Sequence, residues 1–299
     1  MIMISLIGEQ PIPNLLPVRH LLPEQVLLVY TEQTHETAER LKPLLPCGCQ
    51  ALDCLVSAFD LEETARCILA SLQQGQGAGR GLLFNLTGGT KVMSLAAYQV
   101  AAQFRAPFIY LQSEGRQSRL YRYGFDEHGS AHLIHSELLP SLITIHDYLR
   151  AHVGAYQYRE ASRDQKGDLF EKAIYEALGP VVDEITPAIW LAAALEVDMV
   201  VRCANQVGII EAKAASPSKQ GIDQLTTAGA RQYLGTYALR FLLSDRVWDD
   251  STNLKALAAA QQVELIELPS HSACGQLSPE DVAKLRRVVC AKLGREVKQ

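Results

Sequence analysis

The sequence predicts an α/β fold in two unlike halves: a doubly wound parallel sheet, then a second α/β core of different order. Three observations carry this. In the first half short apolar runs alternate with helical periodicities, the pattern of a parallel sheet covered on both faces. The second half instead opens on an amphipathic helix, Lys166 to Leu178, and passes into an antiparallel hairpin. The length of 299 residues also suits two domains of about 100–150 residues each.

In the first half, Met1 to Ile7, Val26 to Tyr30, Leu52 to Val56, Gly81 to Asn85 and Pro107 to Leu111 read as buried strands. Between them Glu36 to Leu44, Leu61 to Leu72 and Lys91 to Phe104 space their apolar residues three or four apart, as helices do. The glycine run from Gly75 to Gly81 precedes a strand and reads as a surface loop. Arg119 to Phe125, a turn at Asp126 to Gly129 and Ala131 to His135 form an expected hairpin, and Leu138 to Val153 an expected linker helix. The domain boundaries that follow are 1–137, a connection over 138–165, and 166–299. In the second half the first helix presents Leu169, Ala173, Ile174 and Leu178 on one face. Strands are expected at Val181 to Ile185, Val197 to Arg202 and Val207 to Lys213, with a turn at Asn205-Gln206. Helix Lys219 to Tyr233, strand Leu239 to Leu243, helix Leu254 to Gln262, strand Val263 to Leu268 and helix Pro279 to Leu293 complete the series.

Composition narrows the function classes. At 48% apolar and 20% charged, the chain can offset the entropy of ordering, which excludes intrinsic disorder. A net charge of −5 argues against wrapping duplex DNA by bulk electrostatics. Of seven cysteines only Cys47, Cys49 and Cys54 cluster, and no second pair completes a zinc knuckle, so buried, reduced thiols are expected. His128, His132 and His135 fall on a turn and a strand and read as surface residues. Trp190 and Trp248 fit either the core or a stacking role. No apolar run approaches the roughly 20 residues that span a bilayer, and the N-terminus lacks a basic leader pattern. The expectation is a cytoplasmic protein without a membrane partner.

Two segments carry chemistry in the first half. Asn85-Leu86-Thr87-Gly88-Gly89-Thr90-Lys91 follows a strand and opens a helix. Gly88 and Gly89 allow close backbone approach, while Thr87, Thr90 and Lys91 add hydroxyls and a cation beside helix N–H groups. A plain helix cap explains this stretch as well as a phosphate-binding loop does. The second segment, with Gly8, Gln10, Pro11, Pro13 and Asn14, leaves the first strand at the corresponding end. Two such loops meeting at one crevice favour a ligand.

In the second half Asp198 lies within a strand, and Glu211-Ala212-Lys213 ends the next. Glu211 and Lys213 share a strand face, being two apart. Carboxylates inside apolar strands are costly unless they serve a function, and hard oxygen donors suit Mg²⁺ or Mn²⁺. Glu171 on the preceding helix is a candidate third carboxylate for the metal. Gln224 on the following helix is a candidate to position water or phosphate. A strand-edge ion pair with Glu171 facing solvent is the structural alternative.

The order Glu171, Asp198, Glu211-x-Lys213 across helix, strand, strand and helix resembles the PD-(D/E)xK nuclease superfamily, with Val197 in place of its proline. Joined to G-x-Q-P-x-P-N and N-L-T-G-G-T-K-x-M, it resembles the CRISPR-associated CARF–nuclease family, ancillary effectors of type III CRISPR defence. The resemblance implies a Rossmann-like CARF domain followed by a restriction-endonuclease-like domain. It implies a homodimer in which Gly8, Gln10, Pro11, Pro13, Asn14 and Thr87 to Lys91 bind a cyclic oligoadenylate, usually cyclic tetraadenylate, across the two-fold axis. It further implies activation of a metal-dependent endonuclease acting on DNA, RNA or both, with Glu171, Asp198, Glu211, Lys213 and Gln224 as catalytic residues. Glu171, Asp198 and Glu211 would be its ligands for Mn²⁺ or Mg²⁺. Two other outcomes stay open at this point: a non-catalytic sensor that binds nucleic acid, and a CARF protein that degrades its own activator.

Overall fold

The computed structural model describes residues 1–74, 81–114, 117–158, 166–192, 195–214, 219–230, 233–249 and 253–295. Most of the glycine run after Gly75, the end of the expected connection (159–165) and part of the expected helix end (231–232) lie outside them. The chain divides into two compact units, Met1–Leu142 and Ile143–Gln299. Among the described residues no helix is long and apolar enough to cross a membrane.

The first unit runs β1 (Ile2–Leu6), α1 (Ile12–Leu21), β2 (Gln25–Tyr30), α2 (His35–Leu41), β3 (Gln50–Leu55), α3 (Leu61–Gln74), β4 (Leu82–Asn85), α4 (Lys91–Gln103), β5 (Phe108–Glu114), β6 (Gln117–Phe125) and β7 (Ala131–Leu138). Its sheet has the order β3-β2-β1-β4-β5-β6-β7. The first five strands are parallel, and β6 and β7 continue the sheet antiparallel. Every residue of β1 is buried, as expected of a central strand covered on both faces. Ile2, Ile4 and Leu6 pack with Leu27, Val29, Phe84, Met93 and Ala97 in one cluster. The chain moves outward from β1 to β3 and then returns to β4, so strand order reverses between β1 and β4. A crevice at their carboxyl ends is where such folds bind ligands.

Helix α1 is absent from the sequence expectation, which ran one loop from Gly8 to Asn14. Two prolines, Pro13 and Pro17, fall within this helix, and each is tolerated for a physical reason. Pro13 sits in the first helical turn, where its missing N–H would have no partner anyway. Pro17 leaves the Pro13 carbonyl without its i+4 donor, and the Asn85 side-chain Nδ2 takes that place at 3.2 Å. A strand-end side chain thus repairs the helix across the unit.

The second unit contains α5 (Ile145–Val153), β8 (Gln157–Tyr158), α6 (Lys166–Leu178), β9 (Glu184–Ala192), β10 (Leu195–Cys203), β11 (Gln206–Lys213), α7 (Lys219–Ala228), β12 (Leu239–Ser244), α8 (Leu254–Ala260), β13 (Val263–Glu267), α9 (Ser270–Cys274) and α10 (Pro279–Lys292). The order β13-β12-β11-β10-β9-β8 places β10 and β11 at the centre of the sheet. The expected linker helix is therefore α5, packed into this unit. Its Ile145, Tyr148 and Leu149 are buried, and the Tyr148 hydroxyl donates to the Leu234 carbonyl at 2.7 Å. The face of α6 also differs from expectation. Phe170, Ile174, Ala177 and Leu178 are buried, whereas Leu169 is exposed, a shift of one residue that leaves the helical period intact. Strand β9 starts later than expected and runs through Pro187, which pairs with Met199 of β10. Among the described residues β8 pairs with Ile189 and Trp190 on the other side of β9. Trp248 is buried, and the seven cysteines are all free thiols, with Cys47 and Cys274 exposed rather than buried.

Candidate functional site

The first unit brings its two expected loops together. A Cβ on Gly8 would lie 3.1 Å from the Gly89 amide nitrogen. One on Gly88 would lie 2.1 Å from the Leu6 carbonyl oxygen and 3.1 Å from Asn14 Nδ2. Glycine at position 88 is thus a steric requirement, because the clash is with backbone that cannot rotate away. Gly89 has φ +72°, a conformation that favours glycine.

Asn85, fully buried at the end of β4, organises the crevice. Its Nδ2 donates to the Pro13 carbonyl at 3.2 Å and to Asn14 Oδ1 at 3.3 Å. Its Oδ1 accepts from the Thr87 amide at 3.2 Å and the Thr87 hydroxyl at 2.6 Å. Sequence reasoning quoted this residue without assigning it a role; its position as the last strand residue before the glycines was the available signal.

The hydroxyls expected to meet a ligand hold the loop. Thr87 Oγ1 also accepts from the Leu111 amide at 2.8 Å. Thr90 Oγ1 donates to the Ala58 carbonyl at 2.7 Å and accepts from the Met93 amide at 3.2 Å, capping α4. Pro11 is the buried N-cap of α1, and Lys91 is exposed at the first position of α4. Gln10 differs from the threonines: both of its side-chain amide atoms are shielded from water without a protein partner, as is Asn14 Nδ2. Such groups are uncommon in folded proteins unless something else satisfies them. Gln10 and Asn14 therefore keep free hydrogen-bonding capacity beside a helix N-terminus.

In the second unit the β10–β11 hairpin sets the geometry. Met199 pairs with Ile210 and the strands close through Ala204 and Asn205. This register brings Asp198 beside the end of β11, where its Oδ2 accepts from the Ala212 amide at 2.8 Å. Glu211 is 2% exposed and Asp198 8%. The Lys213 ammonium, 29% exposed, forms an ion pair with Glu211. Gly221 lets α7 approach β11: a Cβ there would stand 2.8 Å from Leu242 Cδ1 and 3.6 Å from Lys213 Cε. Gln224, one turn on, has its Oε1 buried without a protein partner. Glu171 lies half-buried on α6 beside the buried Phe170. Among the described residues no three His, Cys, Asp or Glu side chains gather as a metal cage, so only the Asp198–Glu211 pair is brought together.

Burial, together with the neighbouring Asp198 charge, pushes the Glu211 carboxyl up to about 7 against the opposing pull of Lys213. Folded Glu211 therefore holds its proton more tightly than the unfolded chain, whose value is near 4.5. The linkage follows from that sign: the metal-free protein loses stability as pH rises from about 4.5 to 7 and is unaffected by this group below that window. Thermal melts across this range should show a falling midpoint, and Glu211→Gln should flatten the fall; an equal slope in the variant would contradict the assignment.

Asp198 and Glu211 fit a divalent cation by their chemistry. They are two hard-oxygen donors in an apolar sheet, and one of them carries a buried charge that Lys213 only partly offsets. Two residues escaped sequence reasoning. Asp245 follows β12, its amide donating to the Lys213 carbonyl at 3.3 Å. Buried His271 lies 4.0 Å from the Asp245 carboxylate, with its ring against Phe170. Both are isolated in the sequence, so no spacing signalled them.

Comparison with known proteins gives these sites a context. Residues 2–148 match the family model described as the Card1 CARF domain. Can2 from Sulfobacillus thermosulfidooxidans, solved in complex with cyclic tetra-adenylate, superposes with a TM-score of 0.73 at 16% identity, covering 95% of this chain and 99% of that one. Protein VC1899 from Vibrio cholerae gives 0.72 at 14% identity over 98% and 99% of the two chains. A type III CRISPR defence DNA nuclease activated by cyclic oligoadenylate gives 0.57 at 16% identity, with 87% of this chain covering 51% of that one. No curated protein sequence matches. At these identities the structural likeness is one of fold, and it extends over both units. Residues 2–148, just under half of the chain, thus resemble the Card1 CARF domain family.

Proposed function

We propose that the chain is a cyclic oligoadenylate-activated, divalent-metal-dependent endonuclease of type III CRISPR defence, acting in the cytoplasm on DNA, RNA or both. The observation that carries this reading is the buried Asp198–Glu211 pair with Lys213, in one chain with a CARF domain. Sensing is assigned to residues 1–137 and cleavage to 166–299, joined by 138–165. The activator is proposed to be cyclic tetraadenylate, the ligand in the Can2 complex. A ring of identical units matches a homodimer in which each protomer offers the same Gln10, Asn14 and 87–91 contacts. Such a ligand activates only by binding the competent state more tightly than the inactive one.

Asp198 and Glu211 would hold Mg²⁺ or Mn²⁺, with Glu171 as the proposed third carboxylate. When bound, the ion supplies Lewis acidity toward a phosphoryl oxygen. The chain's own groups do the rest. The Ala212 amide fixes the Asp198 carboxylate. The Lys213 ammonium, paired with Glu211 and part-exposed, would stabilise the negative charge that builds on the phosphate. The free Gln224 Oε1 accepts from the attacking water and orients it.

Cyclic tri-, tetra- and hexa-adenylates should be crossed against supercoiled DNA, single-stranded DNA and RNA, with Mn²⁺ or Mg²⁺. Cleavage is expected only where activator and metal are both present. Tight activator binding without cleavage of any substrate would instead make the chain a sensor. Linear products from labelled activator would reveal activator degradation.

A further inference from the structure

The β6–β7 hairpin extends the first unit's sheet away from the crevice and leaves a trough at the opposite, amino-terminal end of β5. Arg122 lies in a row across three strands, paired with Ile109 on one side and His135 on the other. Leu21, Ile109, Leu120 and Ile134 give the trough an apolar lining of about 430 Å³, within the range of small-ligand sites. Gly124 shapes it: a Cβ there would stand 2.6 Å from Ile134 Cδ1, so a side chain at 124 would displace the Ile134 tip that lies across the strand.

The charges around this trough are unbalanced. Arg105, Arg122 and His135 line it. The only acid in the lining, Glu137, is 3.2 Å from His20 and already has a partner. Arg105 donates to the Glu127 carbonyl at 3.1 Å, a neutral acceptor that leaves its charge uncompensated. Among the described residues the Arg122 and His135 side chains have no ion-pair or hydrogen-bond partner. A guanidinium beside apolar surface gains more from an anion than one in open water, because the local dielectric is lower.

We infer that this trough is a second ligand site, separate from the β1–β4 crevice, for a small organic anion carried on a flat apolar body. Arg122 binds the anionic group, and Leu21, Pro107 and Ile134 bind the body over the buried Ile109 and Leu120. Phosphate and carboxylate head groups share this chemistry. The inference does not depend on nuclease activity.

The test is a fluorescence titration of the full chain with 8-anilinonaphthalene-1-sulfonate, an apolar aromatic anion. Arg122→Glu is expected to weaken binding at least about tenfold, the loss of one charge-assisted contact. Gly124→Val, which fills the trough without changing charge, should do the same. Arg122→Gln guards against misfolding, since it removes only the charge and should also weaken binding. Arg66→Glu, an arginine on a shallow groove along α3, is the control and should leave binding unchanged. Equal affinity in all variants, or equal loss in the Arg66 control, overturns the site. Displacement by phenyl phosphate or by benzoate supports it and identifies the head group; displacement by neither overturns it.

Discussion

Glu211→Gln and Lys213→Ala are each expected to lower metal-dependent cleavage by about 10²–10³-fold, while moving stability in opposite directions. The carboxamide keeps the shape of Glu211 but cannot hold a divalent ion as a carboxylate does. It also removes a charge buried beside Asp198, so near pH 8 without metal the variant should melt at or above the parent temperature. Lys213→Ala leaves that buried carboxylate without its ion-pair partner and should melt lower. Activity and stability therefore separate, which a merely structural ion pair would not produce. Parental cleavage rates in either variant, measured with saturating activator and Mn²⁺, would remove Glu211 and Lys213 from the proposed chemistry.

The sequence revealed these residues because strands and ion pairs obey local rules. A two-residue spacing puts Glu211 and Lys213 on one strand face, and a hairpin-length separation returns Asp198 to their end. The parallel sheet was legible for the same reason: its strands are short apolar runs between helical periods. What escaped depends on long-range partners. Pro13 and Pro17 mark irregular chain by local rules, yet α1 forms because Asn85, far along the sequence, supplies the missing donor. Thr87 and Thr90 looked like ligand hydroxyls, but the Leu111 amide and Ala58 carbonyl that engage them lie on distant segments. The face of α6 was misjudged by one residue because Leu169 and Phe170 are both apolar, and only packing decides between them. The net charge has a local explanation as well. Acidic residues that would hold a cation lower the total, and that cation restores positive charge where a phosphate would sit.

Asn85→Asp should be the most damaging conservative change in the first unit, lowering stability by roughly 3 kcal/mol or more and abolishing activator binding. The aspartate keeps the Oδ1 acceptor for both Thr87 bonds but loses both donors. It places a carboxylate against the Pro13 carbonyl and Asn14 Oδ1 at a fully buried position. Asn14 can answer by turning its amide, because its own Nδ2 has no partner. Pro13 cannot, because Pro17 has no N–H to offer its carbonyl. The first turn of α1 should therefore loosen, carrying Gln10 and Asn14 out of register with the Gly88-Gly89 backbone. Acidification should partly reverse the loss, since burial raises the pKa of the new carboxyl and its protonated form regains one donor. Thermal melts at pH 5 and pH 8, together with calorimetric titration of cyclic tetraadenylate, would measure both effects. An Asn85→Asp protein with parental melting temperature and affinity at pH 8 would mean that α1 and the glycine loop are held by something other than this one amide.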